Sequence, residues 1–463
     1  MLRYPEVGMT EFRVKKNVLM ETGQIIRSFD GPNYYRGIFP YTEVPKCTFD
    51  AVAVLMQPPD EIWITDTTFR DGQQSRSPYT VEQTVDIYKL LHRLGGSNGI
   101  IRQSEFFLYS AKDREVLERC RDLGYAFPQI TGWIRATKKD FEFAKQMRLS
   151  ECGILVSCSD YHIFKKLKKT RQQAMDDYLE VIKSALELGM VPRCHFEDIT
   201  RADFHGFVLP FALELQKLAE ESKIPIKIRA CDTLGYGVPY AGAAMPRSVP
   251  GIIHGLRTCA GFTADRLEWH GHNDFHKAVV NSSTAWLYGA SSVNCSLLGI
   301  GERTGNTPLE AMVMEYAQLR GTLDGMDATA ITDIANYYAK ELSHNVPPNT
   351  PFIGSAFNTT QAGIHADGLL KDEEIYNIFD TTAILKCPPG VSITSTSGLA
   401  GIAMWLARHL GAQTGTIDKN APIVKEIKKW VDAQYEAGRV TTIGSSELAK
   451  VYDELCLGTR RGA

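Results

Sequence analysis

The stretch EIWITDTTFRDGQQ, residues 61–74, starts as a short apolar run and ends in a loop of polar and charged side chains. The run has the length and composition typical of a buried β-strand. In the loop an arginine and a carboxylate, Arg70 and Asp71, stand side by side before a glycine that permits a tight turn. A strand that carries polar groups at its carboxyl end is the unit from which most of this chain is built.

Seven further runs of this kind follow, separated by helix-like segments such as VEQTVDIYKLLHRLG, residues 81–95. These segments have apolar residues at three-to-four spacing and close with glycine. The predicted strands are 61–66, 100–107, 129–136, 152–158, 191–198, 226–232, 267–273 and 292–299. Eight strand–helix units over about 240 residues match an α/β fold of the (β/α)₈ TIM-barrel type. A doubly wound open sheet is the rival, but no Gly-x-Gly-x-x-Gly loop follows any of these strands.

Two other segments flank the predicted barrel, which we place at residues 61–325. Residues 1–60 form an N-terminal extension, expected to pack on the outside of the barrel or to cover one end. Residues 326–463 are expected to form a mostly helical C-terminal subdomain, interrupted by a loop at 345–363. A chain of 463 residues is long enough for this number of units.

Composition and charge exclude several classes of protein. A formal net charge of −3 gives no global attraction to nucleic acid or to an anionic membrane. No apolar stretch reaches the roughly 18 residues of a membrane span, and the first residues carry charges where a signal peptide has its apolar run. The ten cysteines include no Cys-x-x-Cys pair, which argues against a disulfide framework and a cysteine zinc site. We therefore expect a cytoplasmic protein that acts on small molecules.

The motif HGHND, residues 270–274, closes the seventh predicted strand. Residues two apart on a strand project to the same face, so His270 and His272 can point at one ion. Imidazoles are good ligands for borderline divalent metals. A lone His-x-His pair more often has a structural role, but the carboxyl end of a barrel strand is where such enzymes keep their active sites.

The loops after the first and eighth strands should meet these histidines over the same end of the barrel. The first loop offers Arg70 and Asp71; the eighth, GERTGN at 301–306, offers Glu302 and Asn306. Asp71 could complete a metal site while Arg70 stabilises an oxyanion. An ordinary salt bridge between the two is the alternative. Several polar groups at one rim predict a metal-dependent site for a small, oxygen-rich substrate.

Four motifs in order, DTTFRDGQQ, HGHND, GERTGN and QAGIHADGLL, resemble the 2-isopropylmalate synthase and homocitrate synthase group of acyl-CoA-condensing TIM barrels. The resemblance covers roughly residues 60–410. It implies that acetyl-CoA is a substrate and that a divalent cation, manganese, magnesium, cobalt or zinc, is required. The implied ligands of this cation are Asp71, His270, His272 and Asn306.

The resemblance implies roles for other residues as well. Arg70 matches an arginine near the keto oxygen, which becomes an alkoxide, and Thr233 matches a threonine that binds the substrate carboxylate. From their places at the same rim, and not from the resemblance, we predict a catalytic role for Glu197 and a substrate-binding role for Glu302.

His365 and Tyr376, eleven residues apart, match a histidine and a tyrosine that the helical subdomain contributes to the active site of a partner chain. Both side chains are suited to moving the methyl proton of acetyl-CoA. The resemblance thus implies a homodimer with active sites shared between the two chains.

The identity of the 2-oxo acid depends on what meets its far end. A branched chain requires an apolar pocket, whereas a second carboxylate requires a cation or a donor. Arg193 and His195 share one face of the fifth strand, and Arg135 lies on the third. The family commonly has serine where His195 stands, so its usual contact there is in doubt. The alternative for these cations is pairing with Glu105 and Glu197.

The expected reaction is condensation of acetyl-CoA with oxaloacetate, followed by thioester hydrolysis to citrate and CoA. Stretches such as IIRQSEFFLYS and CHFEDITRADFHGFVLPF resemble the citrate-forming members of the group. Homocitrate synthesis from 2-oxoglutarate is the near alternative, and isopropylmalate or citramalate synthesis comes third. About 60 residues follow GLAGIAMW, too few for a leucine-sensing domain. A 3-hydroxyacyl-CoA lyase and a non-catalytic binding module are the candidates from other classes.

Overall fold

Eight parallel strands form a closed barrel, because the first strand pairs with both the second and the eighth. The strands are β1 (Trp63–Asp66), β2 (Ile101–Phe106), β3 (Gln129–Ile134), β4 (Glu151–Ser157), β5 (Val191–Glu197), β6 (Lys227–Asp232), β7 (Leu267–Gly271) and β8 (Ser292–Cys295). The predicted TIM barrel is confirmed, and each strand overlaps its predicted run. Several runs were predicted too long, because their last residues already belong to the loops.

This architecture comes from a computed structural model that describes residues 31–50, 52–137, 140–413 and 415–460. The chain divides into two compact units, Met1–Asp327 and Ala328–Ala463. No helix of the described residues combines the length and the apolar character needed to cross a membrane.

Helices alternate with the strands in the first unit. They are α1 (Val81–Gly95), α2 (Ala111–Asp122), α3 (Phe141–Gln146), α4 (Arg171–Glu187), α5 (Leu209–Ser222), α6 (Val249–Thr258), α7 (Ala278–Tyr288) and α8 (Leu309–Arg320). Thr80, Ser110 and Thr170 begin α1, α2 and α4 with capping boxes, in which the cap side chain and the third helical side chain each accept a backbone N–H. Shorter helical turns lie in the loops at Gly72–Ser75, Tyr161–Lys166, Ile199–Arg201, Phe204–Val208, Ala264–Arg266 and Leu297–Gly299.

The inside of the barrel is charged. Glu105 on β2 contacts Arg229 on β6, with 3.0 Å between Oε2 and Nη1, although these strands are not neighbours. Arg193 on β5 lies 2.7 Å from both Glu105 and Glu151. Contacts across the ring can only pass through its centre, so an ion-pair network replaces the branched apolar layers that usually fill such barrels.

The alternate strand positions are apolar and pack outward, where fully buried side chains include Ile64, Ile154 and Trp269. Gly153 also faces the inside of the barrel, but it contributes no side chain there. A Cβ there would lie 2.6 Å from Nε2 of His195, so only glycine leaves room for the imidazole.

The described part of the N-terminal extension contacts loops at the carboxyl end of the barrel. The hydroxyl of Tyr161, which follows β4, donates to the carbonyl of Tyr34 at 2.7 Å. Phe39 packs against Tyr236, which follows β6, with ring centroids 5.6 Å apart. These contacts place residues 34–39 beside the rim that carries the predicted site.

The second unit is mostly helical, as predicted. Its helices are α9 (Ala330–Glu341), α10 (Gly363–Lys371), α11 (Thr381–Leu385), α12 (Leu399–His409), α13 (Pro422–Glu436) and α14 (Ser445–Arg460), with a short helical turn at Glu373–Ile375. Two short parallel strands, β9 (Thr359–Thr360) and β10 (Gly390–Val391), pair with each other. The core includes Ile402, Leu406, Val424 and Ile427, which are buried on the facing sides of α12 and α13.

Glu310, near the start of α8, is buried and accepts a hydrogen bond from the backbone N–H of Leu298 at 3.0 Å. Burial raises the pKa of Glu310 from an ordinary 4.5 to about 7. Between these two values the folded chain binds more protons than the unfolded chain does. The contribution of Glu310 to stability is therefore complete below about pH 4.5 and is lost as the pH rises toward about 7.

Glu310→Gln keeps an oxygen for Leu298 but cannot ionise. We expect this variant to gain stability relative to the unmodified protein as the pH rises from 5 to 8, by up to about 3 kcal/mol. Urea unfolding followed by circular dichroism at both pH values measures the difference. Glu220→Gln, which changes an exposed carboxylate on α5, is the control and should show no such dependence. A Glu310→Gln difference that does not vary with pH would contradict the assignment.

Candidate metal centre and active site

Three buried side chains converge at the carboxyl end of the barrel. Asp71 lies in the loop after β1, His270 in β7 and His272 just beyond it, and their potential ligand atoms lie within 4.8 Å of one another. The two Nε2 atoms are 3.2 Å apart, and each is 3.7 Å from Oδ2 of Asp71. The structure thus brings together three of the four predicted ligands in a geometry that suits one cation.

The ionisation states of these groups also suit a cation. Burial would raise the pKa of Asp71, but Arg70 and the two histidines, with Asn306, hold it below its ordinary value. Burial lowers the pKa of His270 to about 3 and lowers that of His272 as well. A carboxylate and two neutral imidazoles are the protonation states that bind a divalent metal.

Asn306 completes the arrangement. Its backbone forms an isolated β-bridge with that of His272. Two oxygens, Oδ1 of Asn306 and Oδ2 of Asp71, are buried and have no hydrogen-bond partner among the described residues. Buried acceptors without donors are rare and call for an explanation. A cation at this position would satisfy both oxygens, so the residues present fit a divalent metal with mixed nitrogen and oxygen ligands.

The loop after β8 holds Asn306 by its backbone. The N–H of Asn306 donates to the carbonyl of Gly299 at 3.0 Å, and that of Thr307 donates to Gly271 at the end of β7. Gly305 has φ +93°, and a Cβ there would lie 2.1 Å from the oxygen of Gly299. Glycine is therefore required for the turn that presents Asn306.

Arg70 lies against the metal group. Its Nη1 is 2.8 Å from Oδ1 of Asp71, and its Nε is 2.9 Å from Oε2 of Glu105. The salt bridge that was the alternative role for this pair is therefore present, and it leaves Oδ2 of Asp71 facing the histidines. The guanidinium also lies 5.2 Å from the ring centroid of Trp133. These contacts fix a positive charge beside the candidate site.

Glu197 and Thr233 lie at the same rim, after or at the ends of β5 and β6. Glu197 accepts hydrogen bonds from the Ser157 hydroxyl and from Nδ1 of His162, the latter at 2.9 Å. Burial would raise the pKa of Glu197, but His162 and Ser157 lower it to about 2, so the group is a carboxylate. Oγ1 of Thr233 accepts from the backbone N–H of Asp198 at 2.8 Å.

The residues predicted to bind the far end of the substrate do not lie together at the rim. Arg193 and His195 are buried inside the barrel, where Arg193 pairs with Glu105, as the alternative interpretation had it. Burial and the nearby arginines hold the pKa of His195 well below its ordinary value, so it is neutral. Arg135 has a mainly exposed side chain bonded to Asp140, and Glu302 is exposed. Their roles in substrate binding stay predictions.

His365 and Tyr376 lie together in the second unit, with ring centroids 4.6 Å apart. His365 is on α10, and both side chains are exposed. The structure thus brings these two predicted site residues into contact with each other, and their catalytic role stays a prediction.

Sequence reasoning missed two groups that support the site. Nδ1 of His162 lies 2.9 Å from Oε2 of Glu197. Oδ1 of Asn294 lies 2.8 Å from Nδ1 of His270. Asn294 could have been found as the polar, inward-facing residue of the strand that neighbours the His-x-His strand. His162 lies in the helical turn after β4, and no motif in the surrounding sequence indicates that it contacts Glu197.

Comparison with known proteins agrees with the family resemblance seen in the sequence. The HMGL-like family model matches residues 61–337. The citrate (Re)-synthase of Clostridium kluyveri is 57% identical over 91% of this chain and 94% of that protein. The citrate (Re)-synthase of Syntrophus aciditrophicus is 56% identical over 92% and 68%, and the 2-phosphinomethylmalate synthase of Streptomyces hygroscopicus is 36% identical over 91% and 96%.

Solved structures show the same fold at lower similarity. An HMG-CoA lyase from Bacillus subtilis aligns with a TM-score of 0.50 and 18% identity, covering 63% of this chain and 97% of that one. At this identity the likeness concerns the fold alone.

Removal of one ligand should abolish tight metal binding. For Asp71→Ala we expect the affinity for Mn²⁺, measured calorimetrically on metal-stripped protein without substrate, to fall by at least about 100-fold, because the only charged ligand is lost. Asp86→Ala removes a half-exposed carboxylate on α1 and should leave the affinity unchanged. Equal Mn²⁺ binding by both variants would refute the proposed ligand set.

Proposed function

We propose that this chain, which belongs to the HMGL-like family and to the family of the citrate (Re)-synthases, condenses acetyl-CoA with oxaloacetate and releases citrate and CoA. The observation that carries the proposal is the buried group of Asp71, His270 and His272 at the carboxyl end of the barrel. It lies where TIM-barrel enzymes bind their substrates.

The proposed metal ligands are Asp71, His270, His272 and Asn306. A divalent cation held there, manganese, magnesium, cobalt or zinc, would act as a Lewis acid toward the carboxylate and keto oxygens of the 2-oxo acid. The four side chains would offer such a cation two oxygens and two nitrogens, a donor set that suits these metals.

Arg70 is proposed to stabilise the negative charge that develops on the keto oxygen. Its guanidinium is held by Glu105 and Asp71 through Nε and Nη1, so its orientation is fixed before the substrate arrives. A fixed donor requires no reorganisation as the alkoxide forms, which is the basis of oxyanion stabilisation.

His365 and Tyr376 are proposed to take a methyl proton from acetyl-CoA. The electron pair left on the methyl carbon attacks the keto carbon of oxaloacetate, a carbon–carbon bond forms, and the keto oxygen gains the negative charge and then a proton. Water next attacks the thioester carbonyl, which breaks the carbon–sulfur bond and releases citrate and CoA. Glu197, kept ionised by His162, is proposed to accept a proton or a hydrogen bond in these steps.

Thr233 and Glu302 are proposed to bind the substrate at the same rim. Of the candidates for the far carboxylate, Arg193 and His195 are enclosed in the barrel, whereas the side chain of Arg135, which follows β3, is 63% exposed. Arg135 is thus the more accessible cation for a second carboxylate.

Assay of the purified protein with Mn²⁺, acetyl-CoA and different 2-oxo acids tests the proposal. We expect citrate from oxaloacetate with kcat/KM at least about 100-fold above that for 2-oxoglutarate, 3-methyl-2-oxobutanoate or pyruvate, because a site built for one substrate leaves polar groups unpaired with another. Products are identified by mass spectrometry. Absence of citrate, or release of acetyl-CoA from a 3-hydroxyacyl-CoA instead, would overturn the assignment.

We also propose that the active form is a homodimer in the cytoplasm. His365 and Tyr376 would complete the site of the partner chain, as the family resemblance implies. All ten cysteines are free, which suits a reducing compartment.

The shared site makes a specific prediction for mixed variants. His272→Ala and His365→Ala should each be inactive, but a mixture that has exchanged chains should regain about a quarter of full activity, because half of the dimers contain one intact site. Each variant dimer mixed with itself is the control. A mixture that forms hybrid dimers by native mass spectrometry yet stays inactive would exclude shared sites.

A further inference from the structure

We propose that Asn294 is a positioning residue that fixes the tautomer of His270, so that Nε2 of this histidine, which faces His272, carries a lone pair and no hydrogen before any metal binds. The inference rests on the proposed metal site. Its basis is a chain of buried hydrogen bonds that runs from His270 to an ion pair inside the barrel.

The first link joins β7 and β8. His270 and Asn294 are partners in the register of these strands, and Nδ1 of His270 lies 2.8 Å from Oδ1 of Asn294. Both side chains are buried. The contact alone does not say which atom carries the hydrogen, because the two ends of an amide look alike and an imidazole has two neutral tautomers.

The second link decides the orientation of the amide. Nδ2 of Asn294 lies 2.9 Å from Oγ1 of Thr65, and the Thr65 hydroxyl in turn contacts Oε1 of Glu268. Arg229 forms an ion pair with Glu268, which therefore remains a carboxylate and can only accept.

The hydrogen of the Thr65 hydroxyl must then point to Glu268 or to the carbonyl of Val293, both of which are acceptors. The Thr65 oxygen is left to accept from the amide of Asn294. The amide oxygen consequently faces His270, and Nδ1 of His270 must carry the hydrogen. Nε2, on the side of Asp71 and His272, is left unprotonated, which is the form that binds a metal.

The same arginine also orders the other half of the site. Arg229 contacts Glu105 at 3.0 Å, and Glu105 contacts Arg70 at 2.9 Å. One buried guanidinium thereby orients both a proposed metal ligand and the proposed oxyanion donor, through two separate chains of contacts.

Two variants of Thr65 test the proposal. Thr65→Val keeps the shape but removes the acceptor for Asn294, and we expect Mn²⁺ affinity to fall about 10-fold or more, as for other losses of outer-sphere support. Thr65→Ser keeps the hydroxyl and should restore affinity. In Glu268→Gln the new amide can donate to the Thr65 hydroxyl. Every hydrogen bond between this residue and His270 can then reverse its direction, which leaves the hydrogen of His270 on Nε2.

Nitrogen-15 NMR of histidine-labelled, metal-free protein gives a direct readout, with the His270 signals assigned from their loss in His270→Gln. We expect the Nδ1–H tautomer in the unmodified protein and a shift toward Nε2–H in Glu268→Gln. An Nε2–H or doubly protonated His270 in the unmodified protein would overturn the proposal even if no variant folds. So would equal Mn²⁺ affinity of folded Thr65→Val and Thr65→Ser. Both measurements omit substrate, so they stand apart from failure of the condensation assay.

Discussion

Glu105 is a carboxylate buried at the centre of the barrel, and the arrangement of the active site follows from the need to neutralise it. A carboxylate without water or partners would be protonated rather than charged. Here burial alone would raise the pKa of Glu105, but Arg229, Arg70 and Arg193 hold it well below its ordinary value. Because each arginine also contacts a second acid, loss of one member leaves a charge unpaired, at a cost of about 3–5 kcal/mol. The network therefore acts as a unit.

Stability is a poor explanation for such an interior, since apolar side chains of similar volume are often as stabilising as a buried ion pair. The network instead affects the proposed active-site residues at the rim of the barrel. It reaches the rim through Arg70, whose Nε is bonded to Glu105, and through Glu268, from which Thr65 and Asn294 lead to His270. Rigid charged groups below the rim allow the groups at the rim to be oriented without help from the substrate, which is what electrostatic catalysis requires.

The sequence predicts the barrel and the approximate position of the site because both depend on local patterns. Strand runs, intervening amphipathic segments and polar residues at strand ends can all be recognised within a few residues of one another. Of the partners of Arg193, Glu105 was expected as an alternative to substrate binding, but Glu151 was not, because the register between β4 and β5 is not a local pattern. Alternation along β5 indicates that Arg193 and His195 face inward, but not that the inside is filled with acids. For the same reason the support of His270 by Asn294 depends on a strand register that no motif contains.

Charge balance bears on the choice of substrate. Among the described residues, the interior and the metal group hold four cations and four carboxylates in contact: Arg70, Arg193, Lys227 and Arg229 with Asp71, Glu105, Glu151 and Glu268. The other proposed ligands, His270, His272 and Asn306, are neutral. A divalent cation would thus add two positive charges that no side chain of this group offsets. A monocarboxylate neutralises one of them, whereas a dicarboxylate neutralises both in a region of low dielectric constant, where unbalanced charge is costly. The ion pairs of the interior therefore leave the charge of a bound cation to be balanced at the rim, by the substrate carboxylates and by Glu197, which His162 and Ser157 keep ionised there.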